Sequence, residues 1–368
     1  MKTLNIGLFG CGTVGSGVYA ILESQCARIA AETGTRLRIA KVCVLHPHKK
    51  RPVELPPELV TTDGGQILDD PSIDIVVEVI GGEQQALGVI SRALVNGKQV
   101  VTANKLVISQ HLPLLRRLED LHGGRLFYGA SVCGSVPILK VIDETLLTDR
   151  ITRLRGVVNG STNFILSRLA EGCSREDALD LAARHGFLEA DPTADISGAD
   201  AAQKLSILAF HAFGRHIPPE RISTTGIEGV TVAAMKAARA AGQTIKLVAE
   251  ASRVDDEIVL SVAPRTIPLD DPLAGVRDEI NIVEVECEGV GTQRFVGRGA
   301  GSIPTANAVV SDLLDILARR RYRRLAGENA CFVQKTLPDY PPLARRHDPS
   351  GITAPAHVHA GELAESAT

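Results

Sequence analysis

Four carboxylates and a lysine crowd into one stretch, Gly186–Lys204, which reads GFLEADPTADISGADAAQK. Glu189, Asp191, Asp195 and Asp200 come first, and Lys204 closes it. Carboxylates can hold an ammonium group, and a lysine beside them can give or take a proton, which suits a small zwitterionic substrate. Asp191-Pro192 ends any helix before it, because the residue preceding proline is pushed out of the α region. Ser197 reads as the next helix start, with Asp200 in the first turn, where the helix dipole favours an anion. The segment Ala199–Phe213 is apolar almost all round and predicts a buried helix. Asp200 and Lys204 stand four apart and share a face of it. A lysine there is costly unless it is paired or working. The plain alternative is a loop and a helix joined by a structural ion pair.

A second constellation lies at the start of the chain. Leu4–Phe9 is a short apolar run, followed by Gly10-Cys11-Gly12-Thr13-Val14-Gly15, a helical pattern to about Ala31, and a second apolar run, Leu37–Leu45. Strand, glycine turn, helix and strand together make a dinucleotide fingerprint. The glycines permit a tight turn and close approach of a pyrophosphate, which sits on the helix N-terminus. A glycine turn without a ligand is the alternative. The second strand runs into Leu45-His46-Pro47-His48-Lys49-Lys50-Arg51, basic and without the acid that would hold a ribose 2′-hydroxyl. That favours NADP over NAD, since a 2′-phosphate attracts positive charge; a solvated basic loop is the alternative. Ile73–Ile80 is a further strand ending in Gly81-Gly82, a helix covers about Gln84–Asn96, and Gln99–Thr102 is the next strand. Lys105 follows just past its carboxyl end, on the edge where open α/β sheets bind ligands. An ordinary surface lysine is the competing reading.

These groups need a scaffold. A helix at Pro113–His122 and a strand at Leu126–Tyr128 complete a mostly parallel sheet. The fold class is therefore α/β, with a Rossmann-type nucleotide-binding domain over residues 1–133 and a second, α+β substrate domain over 134–303. In the second domain, Ile151–Val158, Thr244–Ser252, Ile258–Pro264, Asn281–Glu288 and Gln293–Val296 read as strands. Asn159–Asn163 caps a helix, and Ser174 opens another over Arg175–His185. Gly297–Gly301 is a glycine loop, and the helix Pro304–Arg319 can return to the first domain. Residues 333–368 read as a loose tail rich in Pro, His, Arg and Ala. Of the 368 residues 44% are hydrophobic and 23% charged, as in soluble globular proteins. The net charge of −3 gives no reason to expect nucleic acid or a membrane as partner. No run nears the roughly 18 apolar residues of a spanning helix, and the N-terminus has no signal-peptide pattern. Seven cysteines without a CxxC suit reduced thiols in the cytoplasm and argue against zinc.

GCGTVG at Gly10–Gly15, TANK at Thr102–Lys105, VNGSTNFIL at Val158–Leu166, GRGAGSIPTA at Gly297–Ala306, and the ordered Glu, Asp-Pro, Gly-x-Asp and Lys of the central stretch resemble the homoserine dehydrogenase family, over about Leu4–Arg319. The resemblance implies reversible NAD(P)-dependent interconversion of aspartate 4-semialdehyde and homoserine, and a homodimer formed through the second domain's sheet. By position it implies that Glu189 and Asp200 bind the substrate ammonium, with Asp195 nearby. Lys204 becomes the acid/base group on the carbonyl oxygen, assisted by Lys105. Gly10, Gly12, Thr13, Val14, Gly15, Gly81, Lys105, Gly186 and Gly301 become cofactor contacts. Hydride delivery to an aldehyde develops charge on oxygen, and a cationic lysine stabilises it and gives up its proton. The resemblance also implies a sodium ion on the carbonyls of Val132, Gly134 and Val136. Gly129, however, stands where the family has the glutamate that is the only anionic ligand, which argues against the ion. Cys133, Ser135 and Leu188 replace smaller family residues. With Gly129 they keep open a family member acting on a related amino-acid semialdehyde; a nucleotide-binding regulator without turnover is the third reading. The tail after Arg319 is too short for a regulatory domain of the ACT type, and none is expected.

Overall fold

In the computed structural model the described residues are 1–188, 191–255, 257–299 and 301–328; Glu189, offered above for the substrate, and the tail 333–368 lie outside them. Short apolar runs make the first sheet: β1 (Lys2–Phe9), β2 (Thr35–Cys43), β3 (Val60–Thr61), β4 (Ile75–Glu78), β5 (Gln99–Thr102) and β6 (Arg125–Phe127). All pair in parallel, in the order β3-β2-β1-β4-β5-β6. Parallel strands are covered on both faces, which explains why β4 is buried at all four positions. The chain crosses over through α1 (Thr13–Thr33), α2 (Gly65–Leu68), α3 (Gln84–Val95) and α4 (Lys105–His122). Strand order reverses between β1 and β4, and a ligand crevice opens at such a switch point.

The helix expected at Pro113–His122 begins eight residues earlier, at Lys105. Proline inside a helix removes a hydrogen bond and usually breaks it. Here Asn104 caps the start by accepting from Val107 N at 3.1 Å, and Val107, Ile108, Leu112 and Leu115 bury one face, which carries the helix through Pro113.

After α5 (Ile138–Lys140) comes the second sheet: β7 (Ile151–Val157), β8 (Ser223–Thr224), β9 (Gln243–Val254), β10 (Glu257–Pro268), β11 (Ile280–Cys287) and β12 (Gly291–Arg298), ordered β12-β11-β7-β9-β10-β8. Between β7 and β8 lie α6 (Gly160–Ala170), α7 (Arg175–Arg184), α8 (Thr193–Ile196) and α9 (Ala199–Phe213), and α10 (Val232–Ala240) precedes β9. One sheet face is apolar: Leu154, Leu247, Ala249 and Val283 share a core with Ile165, Leu205 and Leu208 of the helices. Its other face carries Arg153, Arg155, Glu250, Glu284 and Glu286 as cross-strand ion pairs at 2.5–3.0 Å. Ser197 does not open α9; it ends α8, and Gly198 at φ +82° makes the turn into α9. The sequence reading passed over α8 and α10.

Helix α11 (Ser302–Glu328) does return to the first sheet, where Val309, Leu313 and Ile316 pack with Ile6, Leu8, Ile75 and Val77. Residues 1–323 form one continuous unit of contacts.

Candidate functional site

The nucleotide cradle is made by what its residues lack. Gly10 sits at φ +93°, and a Cβ on it would lie 2.7 Å from Val79 O. A Cβ on Gly15 would come within 2.1 Å of Gly10 O, so only glycine lets α1 pack this closely on the turn. Gly12 faces open space, and as the N-cap of α1 it offers no capping side chain, at a helix start of the kind that attracts anions. Across the switch point Gly81 and Gly82 are both left-handed and open. Buried Glu78 fixes this second turn: its carboxylate accepts from Ile80 N at 2.8 Å and from Thr102 Oγ1 at 2.6 Å. Burial raises the Glu78 carboxyl above its usual range, against those hydrogen bonds. Asn104 Nδ2 donates to Gly82 O at 2.7 Å. The residues present therefore fit a dinucleotide.

Lys105, first residue of α4, stands beside the cradle. Helix α4 runs against α9; His216, just past α9, meets Ser109 O of α4 at 2.7 Å, and Tyr128, just past β6, meets His211 Nε2 of α9 at 2.9 Å. This brings Asp200 and Lys204, one turn apart on α9, to Lys105. Lys105 Nζ lies 3.0 Å from Asp200 Oδ1, and Lys204 Nζ lies 2.8 Å from Asp200 Oδ2. The two lysines thus converge on the two oxygens of one buried carboxylate. Burial works to raise the Asp200 carboxyl, but the two ammonium groups outweigh it and hold the group far below the usual carboxylate range.

Asn159, which caps α6, donates its amide to Asp195 Oδ1 at 2.6 Å and to Asp200 Oδ2 at 2.7 Å. Asp195 is half-buried, and burial followed by the Asp200 charge raises its carboxyl. Lys204 Nζ also donates to Val158 O at 2.8 Å, and Asn281 Nδ2 donates to the same carbonyl at 3.1 Å. Asn281 is fully buried and lies against Gly299, where any Cβ would be 1.8 Å from its Nδ2. Buried Cys133, at φ +56°, is within reach of Asn281 and Lys204; burial pushes its thiol up to about 11.

Lys105, Lys204, Asp195 and Asp200 are therefore gathered as the sequence reading expected. Gly186 ends α7 in an open left-handed turn, and Gly301, at φ +119°, opens α11; no hydrogen bond ties either to the cradle among the described residues. Leu188 is half-buried against the core. The sequence reading took Asn159 only as a helix cap and did not reach Glu78 or Asn281. Glu78 left a signal, an acid closing an apolar strand before Gly-Gly; Asn281 left none.

The implied sodium ligands fare differently. The carbonyl of Val136 already accepts from Ile138 N at 2.8 Å. A Cβ on Gly129 would lie 2.6 Å from Asp312 Oδ1, so that carboxylate fills the space where a glutamate side chain would start. Val132, Gly134 and Val136 offer only carbonyl oxygens, one of them already accepting a hydrogen bond, where a hard cation relies on oxygen ligands and charge, and no step below passes through one.

Known proteins match this architecture along most of the chain. The family described as "Homoserine dehydrogenase" matches residues 137–314, and "Homoserine dehydrogenase, NAD binding domain" matches 10–129. A Bacillus subtilis homoserine dehydrogenase is 41% identical over 322 residues, covering 87% of this chain and 74% of its own. The chain belongs to the homoserine dehydrogenase family. A Pseudomonas aeruginosa member is 37% identical over 375 residues, covering 100% of this chain and 85% of its own. A homoserine dehydrogenase crystal structure from Thiobacillus denitrificans superposes with a TM-score of 0.82 at 38% identity, covering 88% of this chain and 75% of that one. A hyperthermophilic archaeal family member solved in complex with NADPH gives 0.74 at 28% identity, covering 86% and 98%.

Proposed function

We propose that Lys204 is the proton donor and acceptor in this family's reaction, the reversible interconversion of L-aspartate 4-semialdehyde and L-homoserine. The nicotinamide nucleotide, when bound in the cradle, supplies or accepts the hydride. The substrate's ammonium end meets Asp200 and Asp195, held in place by Asn159. Asp200 stays ionised there because two ammonium groups already favour its charge. As the carbonyl carbon gains hydride, its oxygen gains charge; Lys204 and Lys105 stabilise that charge, and Lys204 delivers the proton. In reverse Lys204 takes the hydroxyl proton. The carrying observation is the meeting of Lys105 and Lys204 on the two oxygens of Asp200. Lys204→Ala should lower kcat by roughly 10²–10⁴-fold while cofactor binding, read by nucleotide fluorescence, stays as it is. Unchanged turnover in that variant refutes the assignment.

NADP is the preferred cofactor on this reading. The loop after β2 holds His48, Lys49 and Lys50 exposed, while Arg51 folds it by donating to the carbonyls of His46, Pro47 and Lys49 at 2.6–3.0 Å. Comparing kcat/KM for NADP and NAD with homoserine tests this, and equal values would remove the preference. We also read the chain as a cytoplasmic homodimer joined through the charged face of the second sheet. Light scattering that gives a monomer at working concentration rejects that interface.

A further inference from the structure

Away from the site, α6, α10 and the start of β9 line an open cleft of about 410 Å³. Its walls include Leu166, Met235 and Ile245, all buried, and three cations, Arg239, Lys246 and Arg277. Lys246 is only 4% exposed. Its ammonium donates to Asn163 Oδ1 at 2.8 Å and to Val276 O at 2.5 Å, both uncharged acceptors, which leaves its third N–H unassigned among the described residues. Arg239 makes no ion pair among the described residues, whereas Arg277 pairs with Glu171, which Arg168 also holds. The lining thus carries three positive charges and one negative. Lys246 is a buried cation with no carboxylate in ion-pair distance among the described residues; the Asp278 charge favours it and Arg277 opposes it, and a bound anion would offset the cost of its burial.

We propose that this cleft is a binding site for a small carboxylate with a short apolar tail, its charge on Lys246 and Arg239 and its tail against Leu269. Leu269, which lines the cleft and is half exposed, gives such a ligand packing that a bare inorganic oxyanion would not use. The site is wired to the substrate pocket. Asn163, which accepts from Lys246, lies one turn after Asn159 on α6, and Asn159 holds Asp195 and Asp200. A ligand that draws the Lys246 ammonium off Asn163 moves the same helix end that sets those carboxylates. Occupancy therefore shifts KM for the amino-acid substrate, on the order of fivefold, and leaves KM for the nucleotide alone.

Titration calorimetry of the full chain with 3-methylbutanoate, and with its neutral amide as control, tests the site without turnover, so it stands or falls apart from the proposed reaction. The expected result is saturable binding of the acid only, weakened about tenfold in Arg239→Ala and in Lys246→Gln, and unaffected by saturating NADPH. Arg239 is exposed, so its variant remains informative if Lys246→Gln does not fold. No binding at tens of millimolar, equal binding of the amide, competition by NADPH, or full binding in Arg239→Ala would each overturn the proposal.

Discussion

The glycine cradle and the Asp200 cluster lie side by side, joined through Asn104 and Lys105, but are built by opposite means. The cradle is made of backbone: Gly10, Gly12, Gly15 and Gly81 leave room, and a helix start supplies the attraction. The other is made of buried charge: Asp200 pairs with both Lys204 and Lys105, and Asn159 and Val158 O take up further hydrogen bonds. Backbone cradles tolerate little added volume, whereas charge clusters tolerate no missing partner. The two should therefore fail differently.

The largest effect is expected at the centre of the cluster. Asp200→Ala leaves two ammonium groups facing each other with no counter-charge, and breaking a buried pair in this way costs about 3–5 kcal/mol. Thermal unfolding should show that loss together with absent turnover. The sign of its pH dependence follows from the depressed Asp200 carboxyl. That carboxylate's stabilisation is present above the ordinary carboxylate range and fades as pH falls toward its folded value, so the variant should also lack this acid-side loss. A variant with parental stability would mean that the ion pairs contribute nothing. Smaller, and different in kind, is Gly12→Ala. Its Cβ meets no protein atom within 4 Å, so stability should hold while the methyl group intrudes on the pyrophosphate. KM for the nucleotide should rise about tenfold, or roughly 1.4 kcal/mol, with KM for homoserine little changed. An unchanged nucleotide KM would place the pyrophosphate elsewhere.

The same contrast explains what the sequence could tell. Gly10–Gly15 acts through neighbours a few residues away, so its strand–turn–helix context can be read from a short window. The i,i+4 pair of Asp200 and Lys204 is local in the same sense. By contrast, the partners that complete the pocket come from far along the chain. Val158 O and Lys204 are 46 residues apart and Asn281 is 123 from Val158, so no spacing rule links them. Lys105 was placed at the strand end correctly, but its meeting with Asp200 depends on α4 running against α9. Pro113 hid the first two turns of α4, because propensity argues against a helix there and tertiary burial overrides it. Gly198 shows the converse: serine is the better cap in isolation, yet a left-handed turn was needed, and glycine supplies it.

The smallest effect carries the comparison to a second buried aspartate. Asp312, on α11, is as buried as Asp200 but has no ammonium within ion-pair distance among the described residues; the Ala130 N–H donates to it at 3.2 Å. Burial therefore prevails, and its carboxyl is pushed up to about 7. The sign is the reverse of that at Asp200. Between the ordinary carboxylate range and about pH 7 the folded chain holds a proton that the unfolded chain has lost, so stability falls as pH rises through that window and then levels off. Asp312→Asn keeps an acceptor for Ala130 N and removes the titration. It should unfold at a higher temperature than the parent above neutral pH, by on the order of 2 kcal/mol or a few degrees, and the gap should close in mild acid. A gap that widens in acid instead would mean that Asp312 is held ionised by a cation, and that the two aspartates differ in partner but not in charge.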